Sequence, residues 1–368
     1  MPSERPSARE RRARAAERLA QRGWAALLVT PGPDLFYLTG YQMFPSERLT
    51  CLVLRRDGDA TLVCPEFEAP RASAVAPDLE RATWSETEDP YVLAARLVAG
   101  SGPVAVADQM WASFVLRFES VFGERPLRLA SEIMRELRMR KDAFERAALR
   151  DASEAADRAY ARIVSRPFAG RTEREIGAEL AQFLRDEGHE EVGFTIVGSG
   201  PSGASPHHET GDRRIERGDT VVLDFGGARR AYRSDITRTV HVGPQVEPEE
   251  RRVHDVVLRA QEAGYRVARR GATAESVDAA ARSVIDEAGY GRYFIHRTGH
   301  GIGLDGHEHP YLVRGNREAL ESGMSFSIEP GVYLPGRFGV RIEDIAIIDE
   351  DGSATPLNRA DHSLAIVD

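Results

Sequence analysis

The chain has 368 residues, of which 42% are apolar and 29% charged, with 33 glycines and 20 prolines. This composition excludes a disordered, collagen-like or coiled-coil chain, and the length predicts two domains of roughly 150 residues each. The net charge of −9 argues against a general nucleic-acid-binding protein, because such proteins usually carry a basic face.

The N-terminal segment before Trp24 is rich in arginine and contains no apolar run. It therefore does not resemble a secretory signal, and we expect a solvent-exposed first helix. No stretch of the chain approaches the roughly 18 apolar residues of a membrane span, so we expect no membrane association. Lys141 is the single lysine among 49 basic residues, a bias that we attribute to codon usage.

Short apolar runs between turn residues predict four strands in the first part of the chain. The Asp57-Gly58 step predicts a hairpin between the strands over 50–55 and 60–64. Cys51 and Cys64 lie in those two runs without a metal-binding spacing, so we expect buried thiols and a reducing compartment. Helix-forming segments separate the strands, which indicates an α/β domain. The four predicted strands cover residues 25–30, 50–55, 60–64 and 102–107.

A long segment without proline or glycine, residues 131–163, predicts one helix that contains the domain boundary. We place the two domains at residues 1–137 and 138–368. In the second domain, helices over 173–187 and 249–269 alternate with hairpins around 219–242 and 323–349. Helices beside antiparallel hairpins predict an α+β fold.

The hairpin around 219–242 carries two aspartates in apolar surroundings. If its turn is centred between Arg229 and Arg230, Asp224 and Asp235 face each other across the ladder on one face. The predicted strands, residues 221–225 and 232–240, flank a turn that contains Gly226 and Gly227. Buried carboxylates this close repel each other, so a cation is expected between them. A divalent metal ion and a nearby arginine such as Arg238 are the two alternatives.

The hairpin around 323–349 repeats this pattern. Two strands are expected to flank a Pro-Gly turn, with Glu329 and Glu343 as partners across it. Glutamate is rarely buried without a partner, so the second acidic hairpin strengthens the interpretation as a metal site.

Histidines are concentrated in residues 293–310, where four of them lie among glycines. Their spacing does not match the HExxH pattern of zincins. The segment SPHH adds His207 and His208. Four carboxylates balance the charge of two divalent ions, and a water shared by such ions ionises near a pKa of about 7. Oxygen-rich ligation with an imidazole suits manganese, cobalt, iron or zinc.

The stretches VVLDFGG, SDITRTVHVG, HRTGHGIGL, SIEPGVY and VRIEDI together resemble the prolidase and aminopeptidase P family of metallopeptidases. The resemblance covers nearly the whole chain. It implies a pita-bread catalytic domain preceded by a smaller creatinase-type α/β domain. The complete ligand set argues against creatinase-like and non-catalytic pita-bread binding proteins, which remain a minor alternative.

The resemblance also implies two metal ions per subunit, with manganese expected and cobalt, iron or zinc as alternatives. Asp235 and Glu343 would bridge both ions. Glu329 would in addition shuttle the proton between the bridging hydroxide and the leaving nitrogen. The complete set of implied metal ligands is Asp224, Asp235, His300, Glu329 and Glu343.

Further roles follow from the same resemblance. His207 would steady the scissile amide, although the adjacent His208 is an alternative. His307 would lie near the proline site, and Arg341 would meet the carboxyl end of the substrate. Tyr333 and His296 would line the substrate side.

The implied activity is that of an Xaa-Pro dipeptidase, which hydrolyses the bond before a C-terminal proline. An Xaa-Pro aminopeptidase, which acts on longer peptides, shares every catalytic residue and is the alternative. The two differ in whether a loop closes the far end of the site, for which residues 41–48 of a partner subunit are a candidate. We further expect a cytoplasmic homodimer formed through the N-terminal domain.

Overall fold

A computed structural model describes residues 7–368 of the chain. These residues divide into two compact units, one that ends at Arg138 and one that extends from Met139 to Asp368. Residues 1–6, which belong to the predicted first domain, lie outside the described part. Within residues 7–368, no helix is both long and apolar enough to cross a bilayer.

The first unit is built around one six-stranded mixed sheet with the strand order β4-β3-β2-β1-β5-β6. β1 pairs antiparallel with β2 and parallel with β5. Cys51 and Cys64 lie on the neighbouring strands β2 and β3 as free, buried thiols, which confirms that prediction. The strands are β1 (Ala26–Val29), β2 (Cys51–Arg55), β3 (Ala60–Pro65), β4 (Glu80–Trp84), β5 (Val104–Val106) and β6 (Leu127–Leu129).

Helices surround this sheet. The first helix begins with a capping box between Ser7 and Glu10, and it ends where Gly23 turns left-handed. It buries Arg11 and Leu19 on one face, so the predicted solvent-exposed helix is in fact amphipathic. The helices are α1 (Ala8–Arg22), α2 (Pro33–Thr39), α3 (Ala69–Val75), α4 (Pro90–Leu97), α5 (Ala112–Phe122) and α6 (Ser131–Met139).

The prediction of one helix over 131–163 is wrong. α6 ends at Met139, and a new helix, α7 (Ala143–Ile163), begins after Asp142. Asp142 has extended backbone angles and caps α7. Its carboxylate accepts from the Glu145 N–H, and the Glu145 carboxylate accepts from the Asp142 N–H. The D-x-x-E spacing of a capping box was the overlooked signal in the sequence.

The second unit combines four helices with sheets in which every strand pair but one is antiparallel, which confirms the predicted α+β class. A four-stranded sheet has the order β17-β9-β8-β7, and a five-stranded sheet has the order β11-β10-β12-β15-β16. β13 and β14 form a separate hairpin. The remaining helices are α8 (Glu173–Asp186), α9 (Pro248–Val267) and α10 (Ala274–Glu287). The strands are β7 (Glu191–Ser199), β8 (Thr220–Arg229), β9 (Tyr232–Val242), β10 (Gly299–Gly301), β11 (Glu308–Leu312), β12 (Ser325–Ile328), β13 (Gly331–Leu334), β14 (Phe338–Arg341), β15 (Asp344–Ile348), β16 (Ala354–Pro356) and β17 (Ala365–Val367).

The hairpin of β8 and β9 turns at Arg230 and Ala231, which both have positive φ angles of 55° and 68°. Two consecutive residues of this kind form the tight turn that matches the twist of paired strands. The predicted turn at Gly226-Gly227 is wrong, because both glycines lie inside β8. A side chain on either glycine would collide with a backbone oxygen of a neighbouring strand, so glycine here allows close strand approach.

One face of this hairpin forms the core against α7 and α8. Leu223 and Phe225 of β8 and Ile236 of β9 pack there with Ile163 and Leu180 of the two helices. Side chains alternate between the faces of a strand. Asp224 and Asp235 therefore point to the opposite face, away from this apolar cluster.

Candidate metal centre and active site

The β8–β9 hairpin places two aspartates side by side, although not in the predicted register. Asp224 pairs with Thr237, and Asp235 pairs with Gly226. The predicted face-to-face pairing is therefore wrong by two positions, since the turn lies farther along the chain. A shift of two residues preserves the face on which a side chain lies. The aspartates are thus diagonal neighbours on one face of the ladder.

The second pair of carboxylates stands at the ends of β12 and β15. Ile328 pairs with Asp344. Glu329 directly follows Ile328, and Glu343 directly precedes Asp344. The segment contains four strands and not the predicted two, because the β13–β14 hairpin is inserted between the glutamates. Glu343 also forms a β-bridge with Thr237, which joins it to the sheet that carries the aspartates.

His300 completes the cluster from the short strand β10. Its Nε2 lies 3.3 Å from Glu329 Oε1 and 3.8 Å from Asp235 Oδ2. Its Nδ1 lies 3.1 Å from the carbonyl oxygen of Gly301, which places the ring proton there. Burial, together with the neighbouring His307, lowers the pKa of His300 to about 3. The imidazole is therefore neutral and directs a lone pair into the acidic cluster.

The donor atoms of Asp235, His300 and Glu343 lie within 4.8 Å of one another. Three buried donors at this spacing can share a metal ion. Asp224 adds a buried oxygen, Oδ1, that has no hydrogen-bond partner. A carboxylate oxygen without a partner is costly in a protein interior, and a cation would satisfy it.

Electrostatics also fit a cation at this point. Burial and the carboxylates around it raise the pKa of Asp235 well above its usual value, and the same causes act on Glu343. Burial raises the pKa of Glu329 to about 7. These carboxyls resist ionisation because each would place a negative charge beside others. Bound divalent ions would supply the compensating charge, so the residues present fit a metal centre.

Arg341 closes one side of the cluster. Its Nη2 donates to Asp224 Oδ2, and its Nη1 donates to the Tyr333 hydroxyl at 2.7 Å. Tyr333 in turn lies 2.8 Å from His296 Nε2. Burial lowers the pKa of His296 to about 4, with Arg341 as a further cause. The guanidinium is therefore engaged with a carboxylate of the cluster and with the aromatic wall.

A cavity of about 220 Å³ opens onto these side chains. It brings together every residue of the predicted site except Tyr333, which contacts Arg341 and His296 without lining the cavity. His307 packs against His300, with the ring centroids 3.8 Å apart and the ring planes tilted by 40°. The lining residues are Phe194, Ile196, Pro206, His207, Asp224, Asp235, His296, Arg297, His300, His307, Glu329, Arg341 and Glu343.

The two adjacent histidines of the SPHH segment separate in the structure. His207 lines the cavity, whereas His208 Nε2 lies 2.7 Å from Glu173 Oε2. Glu173 is fully buried in the first turn of α8 and also accepts hydrogen bonds from Ser199 and the Gly211 N–H. Burial opposes its ionisation, but these hydrogen bonds lower the pKa of Glu173 below its ordinary value. The pair fixes the segment that carries His207.

Several contributing residues were missed in the sequence. Phe194 and Ile196 line the cavity because they stand opposite Gly226 and Asp224 on β7, a strand that was not predicted. Thr237 donates from its hydroxyl to Glu343 Oε2 at 2.7 Å. The correct hairpin register, which pairs Thr237 with Asp224, was the signal that could have revealed it.

Comparison with known proteins places these observations in a family. Residues 147–350 match Metallopeptidase family M24, and residues 11–140 match the Creatinase/Prolidase N-terminal domain. The probable dipeptidase PepE of Mycobacterium tuberculosis is 47% identical over 363 residues, which cover 97% of this chain and 96% of that protein.

Solved structures of similar proteins share the fold over nearly the whole chain. The dipeptidase PepE from Mycobacterium ulcerans superposes with a TM-score of 0.91, at 44% identity and 98% coverage of both chains. A prolidase from Thermococcus sibiricus gives 0.94 at 36% identity, covering 99% of this chain and 100% of that one. An X-Pro aminopeptidase from Thermotoga maritima gives 0.85 at 31% identity, covering 97% and 99%. The pita-bread fold with a creatinase-type N-terminal domain is thereby confirmed.

Proposed function

The chain belongs to metallopeptidase family M24, and on that premise we propose that it is an Xaa-Pro dipeptidase. The observation that carries the proposal is the small cavity in which buried carboxylates, neutral imidazoles and an arginine converge. Its volume of about 220 Å³ is below that of pockets for drug-sized ligands, which start at roughly 300 Å³. A dipeptide is a substrate of suitable size.

We propose that two divalent ions bind to Asp224, Asp235, His300, Glu329 and Glu343. Bound ions of this kind supply an activated water and a Lewis acid for the scissile carbonyl. Manganese is the metal we expect, since carboxylate oxygens dominate the donor set. Asp235 and Glu343 would contact both ions, as the resemblance to prolidases implies, and their donor atoms lie within 4.8 Å of each other and of that of His300.

Glu329 is the proposed proton carrier. A carboxylate beside the activated water can accept a proton and release it again. The nitrogen of a prolyl peptide bond carries no hydrogen, so it must gain a proton before it can leave. Glu329 would deliver that proton. Ser327 donates to Glu329 Oε1 at 3.0 Å and orients the carboxyl.

The histidines of the cavity wall would bind and orient the peptide. His207 would donate a hydrogen bond to the developing negative charge on the carbonyl oxygen. His307 and His296 would flank the proline ring, and Arg341 would meet the carboxyl end of the substrate while it holds Asp224. Tyr333 would act from outside the cavity, since its hydroxyl fixes both Arg341 and His296.

Hydrolysis of Ala-Pro, Ala-Pro-Ala and Ala-Leu by the manganese-loaded protein tests this function. We expect turnover of Ala-Pro and little turnover of the other two peptides. Preference for Ala-Pro-Ala would instead identify an Xaa-Pro aminopeptidase, the candidate favoured by the similarity to the Thermotoga maritima enzyme. Efficient cleavage of Ala-Leu would contradict proline specificity altogether.

We further propose a cytoplasmic homodimer that assembles through the N-terminal domain. The free, buried thiols of Cys51 and Cys64 suit a reducing compartment. Light scattering on the full chain, coupled to size-exclusion chromatography, measures the assembly directly. A mass of one chain of 40.6 kDa at micromolar concentration would contradict the dimer.

A further inference from the structure

Lys141 is the only lysine among the 49 lysine and arginine residues of the chain. A codon bias towards arginine would account for the other 48 residues but not for the one lysine that remains. The structure distinguishes this position from an ordinary surface cation. Lys141 lies between α6 and α7, and only 1% of its side chain is exposed.

The ammonium group of Lys141 forms a buried ion pair. Its Nζ lies 2.6 Å from Glu308 Oε1, and the Glu308 side chain is 10% exposed. Both groups pack directly on the backbone of Gly303. A Cβ atom on Gly303 would lie 3.0 Å from Lys141 Cε and 2.6 Å from Glu308 Oε1. The space around the ion pair is therefore closed.

Arginine does not fit this space. A guanidinium is planar, wider than an ammonium group and carries five donors that require partners. The Lys141 backbone is held by its N–H, which donates to the Gly323 carbonyl at 2.8 Å. A guanidinium would have to displace Glu308 or the backbone of Gly303. The exception in the composition thus coincides with a site that selects a compact cation.

The ion pair lies at the two ends of the segment that joins β10 to β11, residues 302–307. Gly301 and Glu308 are paired across this segment, and Gly303 lies against the lysine. His307 directly precedes Glu308 and packs against His300 in the cavity. The position of the His307 ring therefore depends on where Glu308 is held.

We propose that Lys141 is a positioning residue for His307. It acts through Glu308 and Gly303, which it holds together so that His307 faces the cavity. This inference rests on the proposed function, since His307 is taken to contact the peptide. It adds a specific requirement: the cation must be lysine, because only an ammonium group pairs with Glu308 while leaving Gly303 in place.

Steady-state kinetics with Ala-Pro test the proposal in Lys141→Arg. We expect KM to rise at least about tenfold, because small displacements of binding groups are costly, while the bound metal is retained. The matched control is Arg140→Lys, the reverse exchange at the neighbouring residue, whose partner Glu321 is about half exposed. This control should behave like the wild-type protein.

A second measurement links the effect to His307. In a His307→Ala background, Lys141→Arg should raise KM no further, since the group that it positions is gone. An unchanged KM in Lys141→Arg, or effects that multiply in the double variant, would overturn the proposal. If Lys141→Arg does not fold, Glu308→Gln replaces it in the single-variant and double-variant kinetics. This exchange removes the negative charge of the ion pair at nearly constant side-chain shape.

Nuclear magnetic resonance separates this inference from the proposed function. In zinc-loaded, ¹⁵N-histidine-labelled protein, the His307 ring signals are identified by their loss in His307→Ala. They should shift in Lys141→Arg and in Glu308→Gln but remain unchanged in Arg140→Lys. Unmoved signals in both pair variants would refute the positioning role even if the enzyme hydrolyses Ala-Pro. A wild-type protein that does not hydrolyse Ala-Pro would refute the proposed function. The histidine spectra would then still decide whether Lys141 positions His307.

Discussion

The acidic side chains of the site and its histidine-bearing loops are held in different ways. Asp224 and Asp235 stand on paired strands, and Glu343 is bridged to Thr237 of the same ladder. His207 and His307 stand on segments without regular structure. The residue that follows each of these histidines is held by a buried side chain, Glu173 for His208 and Lys141 for Glu308.

With the proposed roles, this difference would separate metal binding from substrate binding. Strand pairing holds the backbone of Asp224, Asp235 and Glu343, and the side chains of Arg341 and Thr237 add hydrogen bonds to two of these carboxylates. Each loop is held through a buried side-chain contact at the residue that follows the histidine. Substitutions on the ladder should therefore affect the metal, whereas substitutions of the loop anchors should affect the peptide and leave the metal in place.

The largest effect is expected for Asp235→Asn. The amide removes one negative charge from the centre of the cluster, and we expect the loss of stoichiometric metal together with all measurable turnover. Metal analysis after gel filtration measures the first, and Ala-Pro hydrolysis the second. The control is Asp212→Asn, an exposed aspartate paired with Arg174. Full metal content in Asp235→Asn would break the proposed division.

Glu329→Gln tests the proposed proton carrier among the acidic side chains of the site. The amide cannot accept a proton, so kcat for Ala-Pro should fall by about 10²- to 10⁴-fold. Metal should remain bound at one site or both, since Asp235, His300 and Glu343 are unchanged. Undiminished turnover at full metal occupancy would exclude Glu329 as the carrier. Glu321→Gln, at an exposed ion pair, provides the matched control.

A smaller loss is expected for Glu173→Gln, which tests the other loop anchor. The neutral amide weakens the contact with His208 and the hydrogen bonds from Ser199, so the segment that carries His207 should shift. We expect kcat/KM to fall between about 10- and 100-fold at unchanged metal content. Glu209→Gln, one residue beyond His208 and exposed, should match the wild-type protein. Metal loss in Glu173→Gln would show that the two regions are coupled.

The smallest effect on turnover is expected for His254→Gln on α9, which tests stability alone. Burial lowers the pKa of His254 to about 4, whereas an unfolded histidine titrates near 6.5. The unfolded chain therefore takes up the proton first, and the stabilisation present above pH 6.5 is lost as the pH falls toward 4. The contribution of His254 to the free energy of unfolding falls by about 2 kcal/mol between pH 7 and pH 5.

Urea unfolding at pH 7 and pH 5 measures this contribution in the wild-type protein and in His254→Gln. The variant should lose less stability on acidification, while its turnover of Ala-Pro at pH 7 stays close to that of the wild-type protein. An equal loss in both proteins would show that His254 is not the group responsible.

Sequence patterns located the acidic hairpins better than they located their turns. The face shared by Asp224 and Asp235 survived an error of two residues in the register, because side chains alternate with a period of two. The break between α6 and α7 was missed, since helix propensity outweighed the capping box at Asp142. The β13–β14 hairpin was missed because a Pro-Gly turn is equally compatible with one long hairpin and with a short hairpin inserted between two paired strands.

The sequence by itself determined the family, the α+β class and the residue types from which the centre is built. These properties depend on local patterns and on the order of motifs along the chain. Only the tertiary structure decided which of His207 and His208 faces the cavity, that Arg341 holds Asp224, and that the single lysine lies against Gly303. Each of these depends on contacts between segments far apart in sequence, and such contacts leave no local pattern to read.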